Sequence, residues 1–374
     1  MPMRRVMLGV VVVAMTAVLA GCSGGGSTRG ASPSKSPTSP LASAGVFAYL
    51  KVQIGEDWRQ TKSQMVVMDG NKKVGHSAPL LLADRPIFTT DGRYALTMPS
   101  FLDEVVAVSV ANGKTKSVPC KGCGDRKSEC QCQIVAPIGA SRIAWLDGNH
   151  HLVITDLADA SPRPRRTDVT LPTQDGFLDQ RVSPRLIAGT DGAALAAYPE
   201  TSKTGFDVIK QAYLVTPDGK PRRLRPDRPD SIDEAVFSPD GTQVALTGNQ
   251  EDACATVTVA DVASGKGKTA PVSAKPGATC DNKDVYIDSL WWDRDTTLNV
   301  TFQADRENTT AKDGQRRFEG GRWVDAGVPR TGEVRQLNAG TATIQGHAPG
   351  TLFIRSDGER AKIDTDVRYV TAAP

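Results

Sequence analysis

The chain contains 374 residues, of which 39% are hydrophobic and 5% aromatic, and its 45 basic and 42 acidic residues give a formal net charge of +3. This length is sufficient for a large hydrophobic core. The nearly neutral charge argues against binding of nucleic acid, which needs a concentrated basic surface. Two basic clusters are interleaved with prolines and acidic residues, as is typical of solvated loops: Arg163/Arg165/Arg166 and Arg222/Arg223/Arg225/Arg228.

Residues 1–21 have the composition of a secretory signal peptide. Arg4 and Arg5 precede an uncharged apolar run from Val6 to Leu19. At about fourteen residues this run is too short to cross the ~30 Å hydrocarbon core of a bilayer as a helix. Removal of residues 1–21 would also remove Arg4 and Arg5, so that the net charge of +3 would fall to about +1.

The run Leu19-Ala20-Gly21-Cys22 resembles the lipobox of bacterial lipoproteins. The resemblance implies that the Cys22 thiol receives a diacylglyceryl group and that Cys22 becomes the new N-terminus. Two acyl chains anchor a protein stably, because each buried CH₂ group contributes ~0.8 kcal/mol. We therefore expect a lipid-anchored protein on the extracytoplasmic face of the cell membrane. The alternative is an ordinary secretory signal in which Cys22 is incidental.

Residues 22–44 are rich in serine, glycine, proline and threonine. Such a segment cannot bury enough apolar surface to offset the entropy that ordering removes, so we predict a flexible tether that is lipidated at Cys22. Residues 45–374 are then expected to form one folded, monomeric domain.

The domain contains six cysteines: Cys120, Cys123, Cys130, Cys132, Cys254 and Cys280. An even number in an exported chain indicates three disulfides, although the spacing does not fix their connectivity. A nested arrangement would join Cys120 to Cys132 and Cys123 to Cys130, and a Cys254–Cys280 bond would close a loop of about 26 residues, worth ~3 kcal/mol. A zinc site in the first four is the weaker alternative, because thiolates outside the cytoplasm are oxidised. We therefore expect no metal and no cofactor.

Short runs of alternating apolar residues, separated by turns, recur along the domain and predict β-strands. A unit recurs about every fifty residues and consists of an apolar anchor, a turn, a buried strand, a polar loop and two further strands. The anchors are Phe88, Ala136, Ala188, Phe237, Trp291 and a position near Gly346. Four short antiparallel strands fit this period, which is that of one propeller blade. With a further unit at residues 47–74, whose first strand would fall in the tether, the sequence predicts an all-β propeller of about seven four-stranded blades. Six or eight blades are the alternatives.

The segment FSPDGTQVAL, from Phe237 to Leu246, resembles the WD-like propeller repeat of TolB-type periplasmic proteins, in which an apolar-Ser-Pro-Asp-Gly turn leads into a buried strand. Weaker versions begin at Phe88 and Ala188. The resemblance implies a propeller fold for most of residues 46–371. It implies little about function, because one fold supports many functions.

The sequence offers candidates for ligand contact but no catalytic constellation. The Gly-x-Ser-x-Gly match at residues 21–25 lacks the strand-to-helix context of a nucleophile elbow. Four acidic residues could line a central channel: Asp175, Asp179, Glu234 and Asp288. Trp291 and Trp292 are adjacent on a predicted strand, so that one of them is expected to enter a blade interface. Residues 304–328 are expected to form a long polar loop in which Phe318 and Trp323 contact a ligand.

These features predict a membrane-anchored cell-envelope lipoprotein whose propeller is a non-catalytic binding or scaffold module. Its expected partners are the lipid bilayer, through the acylated Cys22, and an envelope protein, a peptide or a glycan. The alternative is a propeller enzyme, similar to a lactonase or a glycosidase, that uses carboxylates in the channel. Three or more inward-facing Asp, Glu or His side chains within metal-ligand distance would favour the enzyme.

Overall fold

The structure is a computed structural model that describes residues 43–56, 61–99, 102–123, 135–175, 181–201, 207–226, 232, 234–248, 255–273, 275, 285–305, 312–326, 333–346, 349–356 and 358–374. The chain divides into two compact units, residues 1–38 and 39–374, and every described residue belongs to the second. The predicted signal peptide, Cys22 and most of the predicted tether lie outside the described residues. Within the described part, no helix has the length and apolar character needed to cross a membrane.

The described strands form seven four-stranded antiparallel units, the blades of a β-propeller. Blade 1 contains β1 (Val46–Gln53), β2 (Lys62–Asp69) and β3 (Lys72–His76), with β4 (Leu80–Leu81) beside β2. Blade 2 contains β5 (Ile87–Phe88), β6 (Tyr94–Thr97), β7 (Glu104–Ser109) and β8 (Thr115–Pro119). Blade 3 contains β9 (Ala136–Pro137), β10 (Arg142–Leu146), β11 (His151–Asp156) and β12 (Arg165–Thr170). A short hairpin follows, with β13 (Gln174–Asp175) and β14 (Arg181–Val182).

The remaining blades follow in chain order. Blade 4 contains β15 (Arg185–Gly189), β16 (Ala194–Thr201), β17 (Asp207–Val215) and β18 (Arg222–Arg223). Blade 5 contains β20 (Glu234–Phe237), β21 (Gln243–Gly248), β22 (Thr256–Asp261) and β23 (Lys266–Pro271), with β19 (Arg225–Pro226) parallel to β23. Blade 6 contains β24 (Val285–Trp292), β25 (Leu298–Ala304), β26 (Gly314–Glu319) and β27 (Arg322–Asp325). Blade 7 contains β28 (Val334–Gln336), β29 (Thr341–Gln345), β30 (Gly350–Ser356) and β31 (Glu359–Ala372).

The long C-terminal strand β31 closes the ring. Its first part pairs with β30 as the outer strand of blade 7, and its last part pairs with β1 as the inner strand of blade 1. Blades 7 and 1 therefore share one continuous sheet. The prediction that the first strand of blade 1 falls in the tether is wrong, because the opposite end of the chain supplies it.

Five of the six predicted repeat anchors lie on the inner strands of blades 2 to 6. Phe88, Ala136, Ala188, Phe237 and Trp291 belong to β5, β9, β15, β20 and β24. The sixth position, near Gly346, is wrong, since Gly346 follows the second strand of blade 7. The buried Leu337 directly follows the inner strand β28 instead. The error arises because blade 7 lacks the Asp-Gly turn of blades 2, 4 and 5, and has Asn338-Ala339-Gly340 at the equivalent position.

The hydrophobic core lies between the blades. One cluster joins Leu96 and Val105 of blade 2 to Ile143 and Trp145 of blade 3, and five other clusters likewise each combine residues of two neighbouring blades. Each fully buried Leu, Ile or Val side chain contributes about 1.5–3 kcal/mol. Packing between blades therefore holds the ring together.

Exposed basic residues lie along the outer strands of the blades. Those described are Lys72, Lys73, Arg165, Arg166, Arg222, Arg223, Arg225, Lys266, Lys268, Arg322, Arg360 and Lys362. The interpretation of the arginine clusters as solvated loops is therefore wrong for the five of these residues that lie on β12, β18 and β19. An outer strand has unpaired backbone groups on one side, and charged side chains there oppose edge-to-edge association with another sheet.

Candidate functional site

The connections between strands define two faces of the propeller. The lower face carries the hairpins that join first to second and third to fourth strands. The upper face carries the connections from second to third strands and from each blade to the next. Every inner strand begins at the upper face, so residues at the start of these strands surround the upper mouth of the central channel.

The lower face is built from repeated polar turns. In blade 5, Asp240 Oδ1 accepts hydrogen bonds from Ser238 Oγ at 2.6 Å and from the Thr242 backbone N–H at 3.0 Å. Gly241 has φ +68°, which glycine adopts without steric cost. Blade 2 repeats this pattern, with Thr89 Oγ1 donating to Asp91 Oδ1 at 2.7 Å. The turn chemistry predicted for this repeat is present in both blades.

These turns also bond to one another across blades. Ser141 of blade 3 donates to Asp91 of blade 2. Asp191 of blade 4 accepts from the Ala140 backbone N–H at 2.8 Å and from Thr90 Oγ1 at 3.0 Å. Burial acts to raise the pKa of the Asp91 carboxyl, but hydrogen bonds from Ser141 and Thr89 outweigh it and hold the pKa below the ordinary value. Asp91 and Asp191 therefore link the lower-face turns of blades 2, 3 and 4.

A cluster of four charged side chains occupies the upper mouth of the channel. We call Arg85, Glu234, Glu333 and Arg335 the channel ion cluster. Arg85 Nη1 donates to Glu234 Oε1 at 2.5 Å, and Arg85 Nη2 lies 3.7 Å from Glu333 Oε1. Arg335 Nη2 lies 3.4 Å from an oxygen of each glutamate. Since these residues belong to blades 2, 5 and 7, the cluster spans the channel.

Neighbouring side chains fix both arginines of the cluster. Arg335 also donates to Ser289 Oγ of blade 6 and to the Val334 carbonyl oxygen. The Arg85 guanidinium lies over the Tyr369 ring of blade 1, 5.1 Å from its centre, a geometry that favours a cation–π interaction. Five blades therefore contribute to this site.

The two arginines differ in their electrostatic surroundings. Burial acts to lower the pKa of Arg85, but the charges of Glu333 and Glu234 outweigh it, and the pKa is raised. The pKa of Arg335 is lowered, because burial dominates and Arg85 adds a like charge. Both guanidiniums stay charged at neutral pH, since arginine is not deprotonated in proteins, and the cluster carries no net charge.

Of the four acidic residues predicted for the channel, Glu234 lies in the channel ion cluster. Asp288 is exposed on β24, Asp175 lies on the hairpin strand β13, and Asp179 lies outside the described residues. The arginine partners and Glu333 were not predicted. A usable signal existed, because Arg85 and Glu234 each stand three residues before a repeat anchor, Phe88 and Phe237.

The predicted aromatic loop has a different structure. Phe318 and Trp323 lie opposite each other on β26 and β27, with ring centres 4.9 Å apart. Trp323 is buried in the core cluster of blades 5 and 6. The assignment of these two residues to a loop is therefore wrong, because two glycines with positive φ, Gly320 and Gly321, turn the segment into a hairpin. Residues 306–311 and 327–332 lie outside the described residues.

The tryptophan pair packs as expected. Trp291 is buried, and its Nε1 donates to Asp293 Oδ1 at 3.1 Å. Trp292 is half-buried and donates to the Val236 carbonyl oxygen of blade 5 at 3.2 Å. The prediction that one of the two enters a blade interface is confirmed by this contact.

One cysteine pair lies within the described residues. Cys120 and Cys123 follow β8, are fully buried and form a disulfide with Cα atoms 5.5 Å apart. This pairing differs from the nested arrangement, which would join each of them to Cys130 or Cys132. Those two residues, Cys254 and Cys280 lie outside the described residues, so their pairing stays a prediction.

Large exposed apolar side chains mark the upper face. Those described are Ile54, Leu81, Leu102 and Tyr286. Ile54 follows β1, Leu81 lies beside the start of β2, and Leu102 lies between β6 and β7, so all three belong to the upper side of blades 1 and 2. Tyr286 lies at the upper end of β24 in blade 6. Among the described residues, no three His, Cys, Asp or Glu side chains are grouped as metal ligands.

Comparison with known proteins agrees with this architecture. The sequence matches no protein-family model and no curated protein. The β-propeller domain of the Trilobed protease from Pyrococcus furiosus is similar in structure, with a TM-score of 0.52 and 12% identity over 86% of this chain and 95% of that one. That domain is described as having an open velcro topology, whereas β31 closes the ring here.

Two further solved structures illustrate the range of propellers similar to this chain. A Bacteroides fragilis protein provisionally assigned as a 6-phosphogluconolactonase has a TM-score of 0.51 and 12% identity over 90% of this chain and 99% of its own. TolB from Acinetobacter baumannii has a TM-score of 0.45 and 15% identity over 89% of this chain and 67% of its own. At such identities the similarity concerns the fold, and the chain is a β-propeller.

Proposed function

We propose that this protein is a lipid-anchored envelope protein whose propeller binds a protein or peptide partner at its upper face without catalysis. The observation that carries the proposal is the grouping of Ile54, Leu81 and Leu102 on the upper side of blades 1 and 2. Exposed apolar side chains gathered on one face mark interaction sites in soluble domains. The lower face differs, since it carries polar turns, and those of blades 2, 3 and 4 bond to one another.

The channel ion cluster supports a binding role over an enzymatic one. A hydrolase would need a carboxylate free to exchange a proton with substrate or to attack it. Glu234 and Glu333 instead each contact both Arg85 and Arg335. Two guanidiniums neutralise two carboxylates, and the cluster serves as a fixed centre around which a partner can dock.

The binding proposal is tested with a photo-crosslinking amino acid placed at Leu102 of the full-length protein in the cells that make it. The matched control carries the same amino acid at the exposed Thr242 on the lower face. We expect one discrete adduct from position 102, its loss when Ile54→Asp is added, and no such adduct from position 242. Equal adducts from both positions, or none from position 102, would contradict the proposal.

The anchoring part of the proposal has its own test. Cys22→Ser should abolish labelling by a radioactive or clickable fatty acid and release the protein from the membrane fraction. The domain should keep its thermal unfolding midpoint, because the propeller does not depend on Cys22. Persistence of lipid label and membrane association in Cys22→Ser would overturn the anchor.

A further inference from the structure

The outer edge of blades 4 and 5 carries a group of exposed basic side chains on its lower side. The group forms where β18, the outer strand of blade 4, leads into β19, which pairs in parallel with the start of β23. Its members lie on these three strands or in the hairpin before β18. We call this set the basic seam: Lys220, Arg222, Arg223, Arg225, Lys266 and Lys268.

The contacts within the basic seam leave most of its charges unpaired. Arg222 donates to the carbonyl oxygens of Val262 and Ala263 and so joins the two blades. Arg225 lies directly opposite Lys266 in the parallel register, across a strand spacing of about 4.8 Å, and like charges placed in this way repel each other. Among the described residues, no carboxylate forms an ion pair with Arg225, Lys266 or Lys268. Anions that approach the seam therefore relieve this repulsion.

Acidic residues near the basic seam are fewer than the basic ones. Asp218 lies in the hairpin before β18, and Asp261 is the last residue of β22. Asp227 and Asp230 follow in the sequence and lie outside the described residues. The seam residues, together with Arg228 of the same segment, outnumber these carboxylates. The seam therefore carries a local positive charge on a chain that is nearly neutral as a whole.

The chain enters the propeller from the predicted tether at this same lower face. β1 is the second strand of blade 1 and begins at the lower face, where the Gly45 carbonyl oxygen accepts from the Gly70 backbone N–H at 2.9 Å. A flexible chain of about twenty residues has a root-mean-square end-to-end distance of about 25 Å. A lipid on Cys22 would therefore hold the lower face near a bilayer, at a high effective concentration of headgroups.

We propose that the basic seam binds the anionic phospholipid headgroups of the bilayer that holds the protein, an inference that rests on the anchoring part of the proposed function. Guanidinium and ammonium groups donate strong, charge-assisted hydrogen bonds to phosphate oxygens. Each Lys or Arg near an anionic membrane surface strengthens binding about fivefold. The tether enters at blade 1 and the seam lies on blades 4 and 5, on the opposite side of the ring.

Contact at these two places lays the lower face along the membrane. The upper face, with Ile54, Leu81 and Leu102, then points away from the bilayer, where a partner can reach it. A bilayer is favoured over a soluble anion because the tether delivers it to the correct face. The exposure of the seam residues on an outer edge also suits an extended surface better than a small enclosed ligand.

The test measures the orientation of the full-length, lipidated protein on vesicles. The vesicles consist of phosphatidylcholine alone or of phosphatidylcholine mixed with phosphatidylglycerol, and they carry an acceptor dye on some headgroups. A donor dye is attached through a clickable amino acid at Thr242 on the lower face or at Leu102 on the upper face. On anionic vesicles we expect strong energy transfer from position 242 and weak transfer from position 102. On neutral vesicles this difference should be much smaller.

Removal of charge from the basic seam should abolish the preferred orientation. The triple change Arg225→Gln/Lys266→Gln/Lys268→Gln should lower the ratio of docked to undocked domains about 100-fold on anionic vesicles, from about fivefold for each charge. The energy transfer from positions 242 and 102 should then become similar.

A matched control removes the same number of charges from the upper side of the propeller. Lys62 begins β2, Lys121 follows β8 and Lys275 follows β23, and all three are exposed. Lys62→Gln/Lys121→Gln/Lys275→Gln should leave the difference in energy transfer unchanged. Thermal unfolding of both triple variants shows that they are folded. Equal transfer from the two positions in the wild type, the same difference on neutral vesicles, or loss of the difference in both triple variants would overturn the proposal.

Two further outcomes separate the seam from the anchor and from another anion. A wild type that does not float with neutral vesicles would remove the lipid anchor, and flotation with anionic vesicles, present in the wild type and lost in the seam variant, would still support the seam. Tight binding of inorganic polyphosphate, combined with equal transfer on both kinds of vesicle, would overturn the bilayer as the occupant. The failure of the anchor and the failure of the seam are therefore distinguishable.

Discussion

The lower face and the upper mouth of the same propeller use charged side chains differently. On the lower face, Asp91 and Asp240 accept hydrogen bonds from their own turns, within a few residues of sequence. At the upper mouth, Glu234 contacts Arg85 and Arg335, which are 149 and 101 residues away. Asp91 and Asp240 therefore shape their own turns, and Asp91 adds a bond to the neighbouring blade through Ser141. The contacts of Glu234 exist only after the ring has closed. The upper mouth should therefore be the more sensitive of the two to removal of one partner.

The largest loss in free energy of unfolding is expected from Arg335→Met. This change leaves Glu234 and Glu333 facing Arg85 alone, and breaking a buried ion pair on one side costs about 3–5 kcal/mol. The matched change on the lower face, Arg93→Met, removes an exposed contact to Asp91 at 3.6 Å and should cost under about 1 kcal/mol. Urea unfolding of both variants measures the difference. Adding Glu333→Gln to Arg335→Met should recover part of the loss, and equal losses from the two arginine changes would contradict the comparison.

A smaller loss of stability is expected from a change in the turn between β28 and β29, on the lower face of blade 7. Gly340 has φ +85°, and an added Cβ would clash with the Arg355 carbonyl oxygen. Gly340→Ala should cost about 3 kcal/mol, because a left-handed backbone and a steric clash act together. Gly346 on the upper face has φ +94°, and no atom of the described residues lies within 4 Å of the added Cβ, so Gly346→Ala should cost only about 1 kcal/mol. Equal midpoints of thermal unfolding for Gly340→Ala and Gly346→Ala would contradict this prediction, because they would show that backbone movement relieves the clash at Gly340.

Sequence reasoning succeeded where structure depends on neighbours in the chain. The Ser238-Pro239-Asp240-Gly241 turn predicts its own geometry, because proline, aspartate and glycine each favour it locally. The positions of Phe88 and Phe237 then set the period of the blades.

Sequence reasoning failed where structure depends on the whole ring. Whether the first strand of blade 1 comes from the tether or from β31 is decided by pairing between the two ends of the domain. The partners of Glu234 follow from the same closure, since Arg85 and Arg335 reach it from blades 2 and 7. Phe318 and Trp323 were misplaced for a related reason, because a polar hairpin at the edge of a blade has the composition of a loop.

Removal of the Cys120–Cys123 disulfide at the upper face should cause an intermediate loss of stability. Cys120 and Cys123 close a loop of only four residues, for which the chain-entropy model gives about 2 kcal/mol. The double change Cys120→Ala/Cys123→Ala should therefore lower the free energy of unfolding by about this amount, without altering the ring. Thiol titration of the unfolded, unreduced wild type should find essentially no free thiol. Four free thiols with one bound zinc ion would contradict the disulfide at this position.

The smallest loss of stability is expected at Asp91, and its pH dependence tests whether the charge of this carboxylate stabilises the lower-face turns. Asp91→Asn keeps an acceptor for Thr89 Oγ1 but removes the charged oxygen that accepts from Ser141, which should cost about 1 kcal/mol at pH 7. Because the folded pKa of Asp91 lies below the ordinary 3.8, its contribution to stability is complete above pH 3.8 and is lost as the pH falls through the folded pKa. The difference in free energy of unfolding between wild type and Asp91→Asn should therefore be constant from about pH 5 to about pH 8. It should shrink below pH 3.8. Asp218→Asn, in an exposed turn, is the control and should show almost no difference at either pH. A difference at Asp91 that persists undiminished in acid would mean that the carboxylate charge does not hold the lower-face turns together.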